Sequence, residues 1–123
     1  MYIKKITYMD YQEDLIEAEV VVTDGKYDLL CFCHPCFYKT NDIISEPLHC
    51  LGADNIVISE ENEYFAHRIG ETFEYHVCGC LSDKETGTVY VGKVLISVRT
   101  NLIPKDIPQG AYIEFDVARF DLY

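Results

Sequence analysis

The residues of this chain whose types could do chemistry are its cysteines and histidines, and many of them stand close together. One run reads Cys31-Phe32-Cys33-His34-Pro35-Cys36, a second reads Cys78-Gly79-Cys80, and Cys50 directly follows His49. Zinc takes tetrahedral sulfur and imidazole ligands, and its structural sites commonly begin with two cysteines two to four residues apart on a tight turn. Cys33 and Cys36 have that spacing, with Pro35 to turn on. Joined to Cys78 and Cys80, they make the metal alternative. Its weakness is the second pair. Residues two apart on a strand are separated by roughly 6.5–7 Å at Cα, too spread to grip one ion unless the backbone bends at Gly79.

Two other chemistries have less behind them. Cys33-His34-Pro35-Cys36 resembles, in four letters, the redox pair of thioredoxin-like proteins. That family sets its first cysteine at a helix N-terminus, which lowers the thiol pKa. Residues 37–41 (Phe-Tyr-Lys-Thr-Asn) offer no helix. His49 and Cys50 are adjacent, so on a strand they point to opposite faces and do not form a base and nucleophile pair. The run 87–94 nearly spells a phosphate loop but ends in Val94 where Ser or Thr should meet magnesium. No two carboxylates are marked as a general acid/base pair. Reduced cysteine is a small, strongly buried apolar residue. Cys31 and Cys33 share a strand face with Leu29, and Cys78 and Cys80 share one with His76. The expectation is therefore reduced thiols, with Cys31, Cys33, Cys78 and Cys80 mainly buried, no catalytic residue, no metal and no cofactor.

Charge narrows the partners. The chain carries 21 acids against 10 bases, net −11, and its lysines and arginines are scattered. Phosphate contacts need clustered basic side chains, so nucleic acid is not an expected partner. The acids gather in two places. Asp10, Glu13, Asp14, Glu17 and Glu19 lie in a stretch without Lys or Arg, and Glu60, Glu61 and Glu63 form a second group. Fields of that sign steer a basic protein, and these eight residues are the candidate partner-binding set. There is no secretory signal behind Lys4-Lys5 and no apolar run near the ~20 residues a membrane span needs. The expected location is cytoplasmic, where thiols stay reduced. Oligomeric state is open.

The elements that must position these groups read as strands. Ala18, Val20 and Val22 alternate with Glu17, Glu19 and Val21, Asp24-Gly25 turns the chain, and 27–33 returns. Asp-Gly between strands is a strong hairpin signal. Leu29, Cys31 and Cys33 share one face and Leu30, Phe32 and His34 the other; both are apolar enough for a central strand. Further strands are expected over 48–51, 55–58, 72–81, 88–99 and 112–120, with 3–9 a further candidate. Residues 59–70 predict one short helix. Ser59 would cap it, glutamates fill its first turn, His67 and Arg68 its last, and Gly70 stops it.

This order, with no βαβ alternation, predicts a single all-β domain over 1–123. Its plan would be a small antiparallel barrel of five to seven strands, OB-fold-like, with the helix between the third and fourth core strands. The function expected is a non-catalytic protein-interaction module with an acidic surface. Small acidic immunity proteins that neutralise toxic nucleases look like this in size and charge. One alternative is an OB-type protein that binds nucleic acid or oligosaccharide on exposed aromatics, with Tyr27, Phe32, Tyr90 and Tyr112 as candidates. The other is a cysteine-based metal or redox protein.

Overall fold

The computed structural model describes residues 1–12 and 15–123, and the side chains of all of these except 10–12 and 15. The described chain is all-β. Its strands are β1 (Tyr2–Gln12), β2 (Leu15–Thr23), β3 (Asp28–Cys33), β4 (Leu48–Leu51), β5 (Asp54–Ile58), β6 (Phe65–Arg68), β7 (Tyr75–Asp83), β8 (Thr88–Val91), β9 (Val94–Ser97), β10 (Tyr112–Val117) and β11 (Arg119–Leu122). A single 3₁₀ turn, Thr100–Leu102, is the helical element among the described residues. No helix among them is long and apolar enough to cross a membrane.

All strands belong to one sheet, ordered β1-β2-β3-β11-β4-β9-β8-β7-β10-β5, with β6 added to β7. The period-2 pattern decides which side faces inward. Ala18, Val20 and Val22 are fully buried, as are Ile113 and Phe115, with Val117 nearly so. Glu114 and Asp116 alternate with them on the outer side, half-buried. The sheet is strongly curved. Leu30 N–H donates to the Tyr75 hydroxyl at 3.0 Å, joining β3 to β7 although β11, β4, β9 and β8 lie between them in the order. Asp24 ties the β2–β3 turn to the β8–β9 turn. Its carboxylate accepts from Lys26 N and Tyr27 N on one oxygen and from Lys93 N on the other, each at 2.8 Å. Burial pushes Asp24 up, but these N–H donors outweigh it and hold the carboxyl below its ordinary value.

Two strand pairs bend together. β4 runs on into β5 through Gly52-Ala53, and β10 runs on into β11 through Ala118. Ala118 N–H donates to the Leu51 carbonyl at 3.0 Å, so the two bends meet. Gly52 sits at φ +67, and a Cβ there would lie 2.9 Å from the Ala118 Cβ. Beyond the bend β11 fills the gap between β3 and β4, pairing parallel to one and antiparallel to the other.

Several expectations are corrected. The 88–99 stretch is two strands, β8 and β9, folded back at Gly92-Lys93, and 112–120 is split at Ala118. The sheet is not purely antiparallel: β3–β11 and β4–β9 are parallel pairs. Its hydrogen-bonded path is open, ending at β1 and β5, where a barrel would close. The helix over 59–70 is absent. Phe65–Arg68 instead pairs antiparallel with β7. Phe65 and Ile69 alone make too narrow a stripe to hold a helix against a core, whereas a strand there pairs its backbone with β7. The expected cap, Ser59, accepts from Glu61 N at 3.2 Å in a local turn.

Candidate functional site

The antiparallel registers assemble the outer face of β6, β7, β10 and β5 in rows. Phe65 stands opposite Cys78, Cys78 opposite Glu114, and Glu114 opposite Val57. The next row runs His67, His76, Asp116, Asp54. Residues opposite each other in register share a face, so these side chains lie side by side.

Residues 59–64 cross this face between β5 and β6. Ser59 Oγ donates to Glu114 Oε1 at 2.7 Å and lies 2.8 Å from the Glu61 carbonyl oxygen. That crossing buries Cys78 completely although it is on the outer face. Burial pushes the Cys78 thiol up, against a hydrogen bond from Ser59 that pulls it down. In the second row His76 lies between two carboxylates, with Nδ1 2.8 Å from Asp116 Oδ1 and Nε2 3.4 Å from Glu114 Oε2. Asn55 Nδ2 donates to Asp116 Oδ2 at 2.9 Å. The bonds from Asn55 and then His76 hold Asp116 below its ordinary value. Phe65 stacks on His67, ring centroids 4.6 Å apart.

Beside the crossing lies a depression of about 490 Å³ lined by Ile58, Glu60, Glu61, Phe65 and Glu114. Glu60, Glu61 and Glu63 are exposed. Carboxylates around an aromatic and an aliphatic side chain suit an ammonium or guanidinium group on a long apolar stem. The charge is met by the acids and the stem by Ile58 and Phe65. Of the two thiols on this face of β7, Cys78 is buried and Cys80 partly exposed.

The structure brings Glu60 and Glu61 to this face; Glu63 is exposed on the same crossing but does not line the depression. Glu17 and Glu19 are half-buried on β2, and Asp10 stands opposite Glu17 in the β1–β2 register. Glu13 and Asp14 lie outside the described residues. Glu17 and Glu19 stand on β2, and Glu60 and Glu61 follow β5, so the acids are carried by different elements. Sequence reasoning missed Glu114, Asp116, His76 and Phe65 as members of the site. The alternation in β10 marks its two acids as outward; only the register shows what stands beside them.

The cysteines separate likewise. Cys31 and Cys33 face the interior from β3, and Cys36 and Cys50 are also buried; Cys80 is partly exposed. All six are free thiols. Cys33 and Cys36 lie on the β3 side of the sheet and Cys78 and Cys80 on β7, so the four proposed metal ligands do not converge. Among the described residues no three His, Cys, Asp or Glu side chains are grouped to hold a metal ion. Burial raises Cys31 far above its ordinary value, and Cys50 strongly too. Burial and the neighbouring Cys36 thiol push Cys33 up to about 12. Thiols so disfavoured as thiolates are poor nucleophiles and poor ligands. Of the candidate stacking aromatics, Tyr112 packs on Tyr64 with centroids 5.3 Å apart and Tyr27 meets Tyr64 edge-on at 6.1 Å. Phe32 meets Phe73 at 6.3 Å and carries the Arg119 guanidinium 4.4 Å from its centroid. Compared with protein-family models, with curated proteins and with solved structures, the chain matches none.

Proposed function

We propose that this protein is a non-catalytic interaction module that engages a basic protein through the acidic face of β5, β10, β7 and β6. The observation that carries this reading is the depression walled by Glu60, Glu61 and Glu114 over Ile58 and Phe65. The net charge of −11 adds a long-range field of the same sign. A cytoplasmic setting fits six free thiols.

The OB-type alternative, a barrel presenting aromatics to nucleic acid or sugar, has less behind it. Of the four candidate rings, Tyr27, Tyr112 and Phe32 already contact other rings of the chain and Tyr90 is 38% exposed, and scattered bases do not track a phosphate backbone. The cysteine-based alternative needs an accessible, low-pKa thiol, and burial opposes that at Cys31, Cys33, Cys50 and Cys78.

The test is to capture partners from the source cell and measure association rates with purified protein at rising salt. Charge reversal then compares Glu60→Lys with Glu61→Lys against Glu17→Lys with Glu19→Lys. A basic partner whose on-rate falls with salt and with the Glu60/Glu61 reversal supports the reading. A partner indifferent to both overturns it.

A further inference from the structure

The two ends of the sheet are treated differently. At the β1 end the edge is protected. Ile3 N–H donates to the Asp42 carbonyl at 3.0 Å, Asn41 N–H to the Ile3 carbonyl at 2.7 Å, and Ile44 N–H to the Met1 carbonyl at 3.0 Å, so residues 41–44 cover the start of β1. Register shifts interrupt β1 twice, and it carries Lys4 and Lys5. Lysines, bulges and covering loops are the usual defences of an edge strand. At the β5 end a bulge at Asn55 interrupts the start of the strand, but neither lysines nor a paired segment among the described residues protects Val57 and Ile58.

β5 pairs with β10 on one side and, among the described residues, with no strand on the other. Ser59 N–H donates to the Tyr112 carbonyl at 2.8 Å, which fixes the alternation. Backbone groups of Ser59 and Val57 turn toward β10, and those of Ile58 turn to the open edge. Val57 is 54% exposed and Ile58 51%. A row of unpaired backbone groups beside exposed apolar side chains is a template for another strand.

Charge decides which strand fits. Asp54 precedes the edge, Glu60 and Glu61 follow it, and Glu114 and Asp116 lie one strand in. A second copy would bring the same acids against them, and a chain of net −11 resists that approach. The bulge at Asn55, with φ +55, breaks pairing for any added strand at the start of β5, so the edge open to addition begins after it. A basic strand does not meet that charge repulsion.

We propose that the open edge of β5 receives an extended basic segment of the partner, added as an antiparallel or parallel strand along 56–58. Its lysine or arginine side chains reach across Val57 and Ile58 to Glu60, Glu61 and Glu114. This rests on the acidic-face reading and specifies its mode.

The test uses fluorescein-labelled peptides of about ten residues alternating lysine and valine, titrated at low salt by fluorescence anisotropy. Two further peptides carry N-methyl groups on alternate residues, one set in each register. N-methylation removes backbone donors and keeps the charge. Strand addition requires that one methylated register bind at least about tenfold more weakly than the other. It also requires that amide exchange at Ile58 slow on binding, and that Glu60→Lys with Glu61→Lys weaken the unmodified peptide. Equal affinity for both methylated registers, with salt and charge reversal still effective, overturns strand addition and leaves the acidic-face reading standing. Absence of binding, or binding unmoved by charge reversal, overturns both. A dimer of the free protein in sedimentation that protects the same amide overturns the basic occupant in favour of a second copy.

Discussion

The inside of β3 and the outside of β5–β10 divide the chemistry-bearing residues between them. Inside, Cys31 and Cys33 sit among Val20, Leu29 and Phe120, all without exposure, and burial keeps the thiols protonated. Outside, carboxylates of Glu114 and Asp116 are held by Ser59, Asn55 and His76 while Glu60 and Glu61 stay exposed. The same residue type changes role across that divide. Cys78 is on the outer face, yet the 59–64 crossing buries it as fully as any interior thiol. The difference teaches that burial, which cysteine spacing does not reveal, holds Cys31, Cys33 and Cys78 as neutral thiols on either side of the sheet. Interior changes should therefore move stability and leave binding alone; outer-face changes should do the reverse.

The sharpest break of the interior is at Gly79. A Cβ there would stand 2.6 Å from both the Tyr90 carbonyl oxygen and Val89 Cγ1, so β7 and β8 would have to part. Gly79→Ala is expected to cost about 3 kcal/mol in urea unfolding or to prevent folding. Cys31→Ser comes next. It places a hydroxyl in a fully buried apolar site and should cost roughly 1–3 kcal/mol. A loss under half a kilocalorie would argue that the thiol is not a core residue. Ser59→Ala stands at the boundary between the regions. It removes the bond to Glu114 and should cost about 1 kcal/mol while weakening the cover over Cys78. The readout is faster modification of that thiol by a labelling reagent. Glu60→Lys with Glu61→Lys, both exposed, should change stability by no more than about 0.5 kcal/mol.

Titration separates the regions from the other direction. Burial and the neighbouring Cys36 thiol push Cys33 up to about 12 from an ordinary value of 9.0. A raised pKa contributes stability that is whole below the unfolded value and is lost as pH climbs through the folded one. Stability should therefore decline from about pH 9 toward 12, and Cys33→Ala should flatten that decline. Asp28 and Asp116 are shifted the other way, Asp28 first by its bond from Lys4 and then by Thr23. Their contribution is present above 3.8 and lost as pH falls below it, so Asp28→Asn should flatten the acid limb.

Much of the strand content was legible in the sequence because alternation carries it. Ala18-Val20-Val22 and Ile113-Phe115-Val117 point inward as their spacing predicts, and Asp24-Gly25 makes the expected turn. Pairing was not legible. Nothing local in Arg119–Leu122 says that it lies parallel to β3, and that placement follows from the shared bend at Gly52 and Ala118. The 59–70 helix failed for a related reason. Its capping and charge signals were real local preferences, but the same glutamates and serine satisfy a crossing loop when the β7 edge is there to take Phe65–Arg68. At the site, Glu60 and Glu61 were visible as an acidic cluster, whereas Glu114 joins them only through the β5–β10 register.

The most direct measurement is the affinity of the alternating lysine–valine peptide for three forms of the protein: unchanged, Glu60→Lys with Glu61→Lys, and Cys33→Ala with Cys36→Ala. The account predicts a loss of about tenfold or more for the glutamate pair and a change within about twofold for the cysteine pair. Loss of binding in the cysteine variant while it remains folded, with the glutamate variant unaffected, would contradict it.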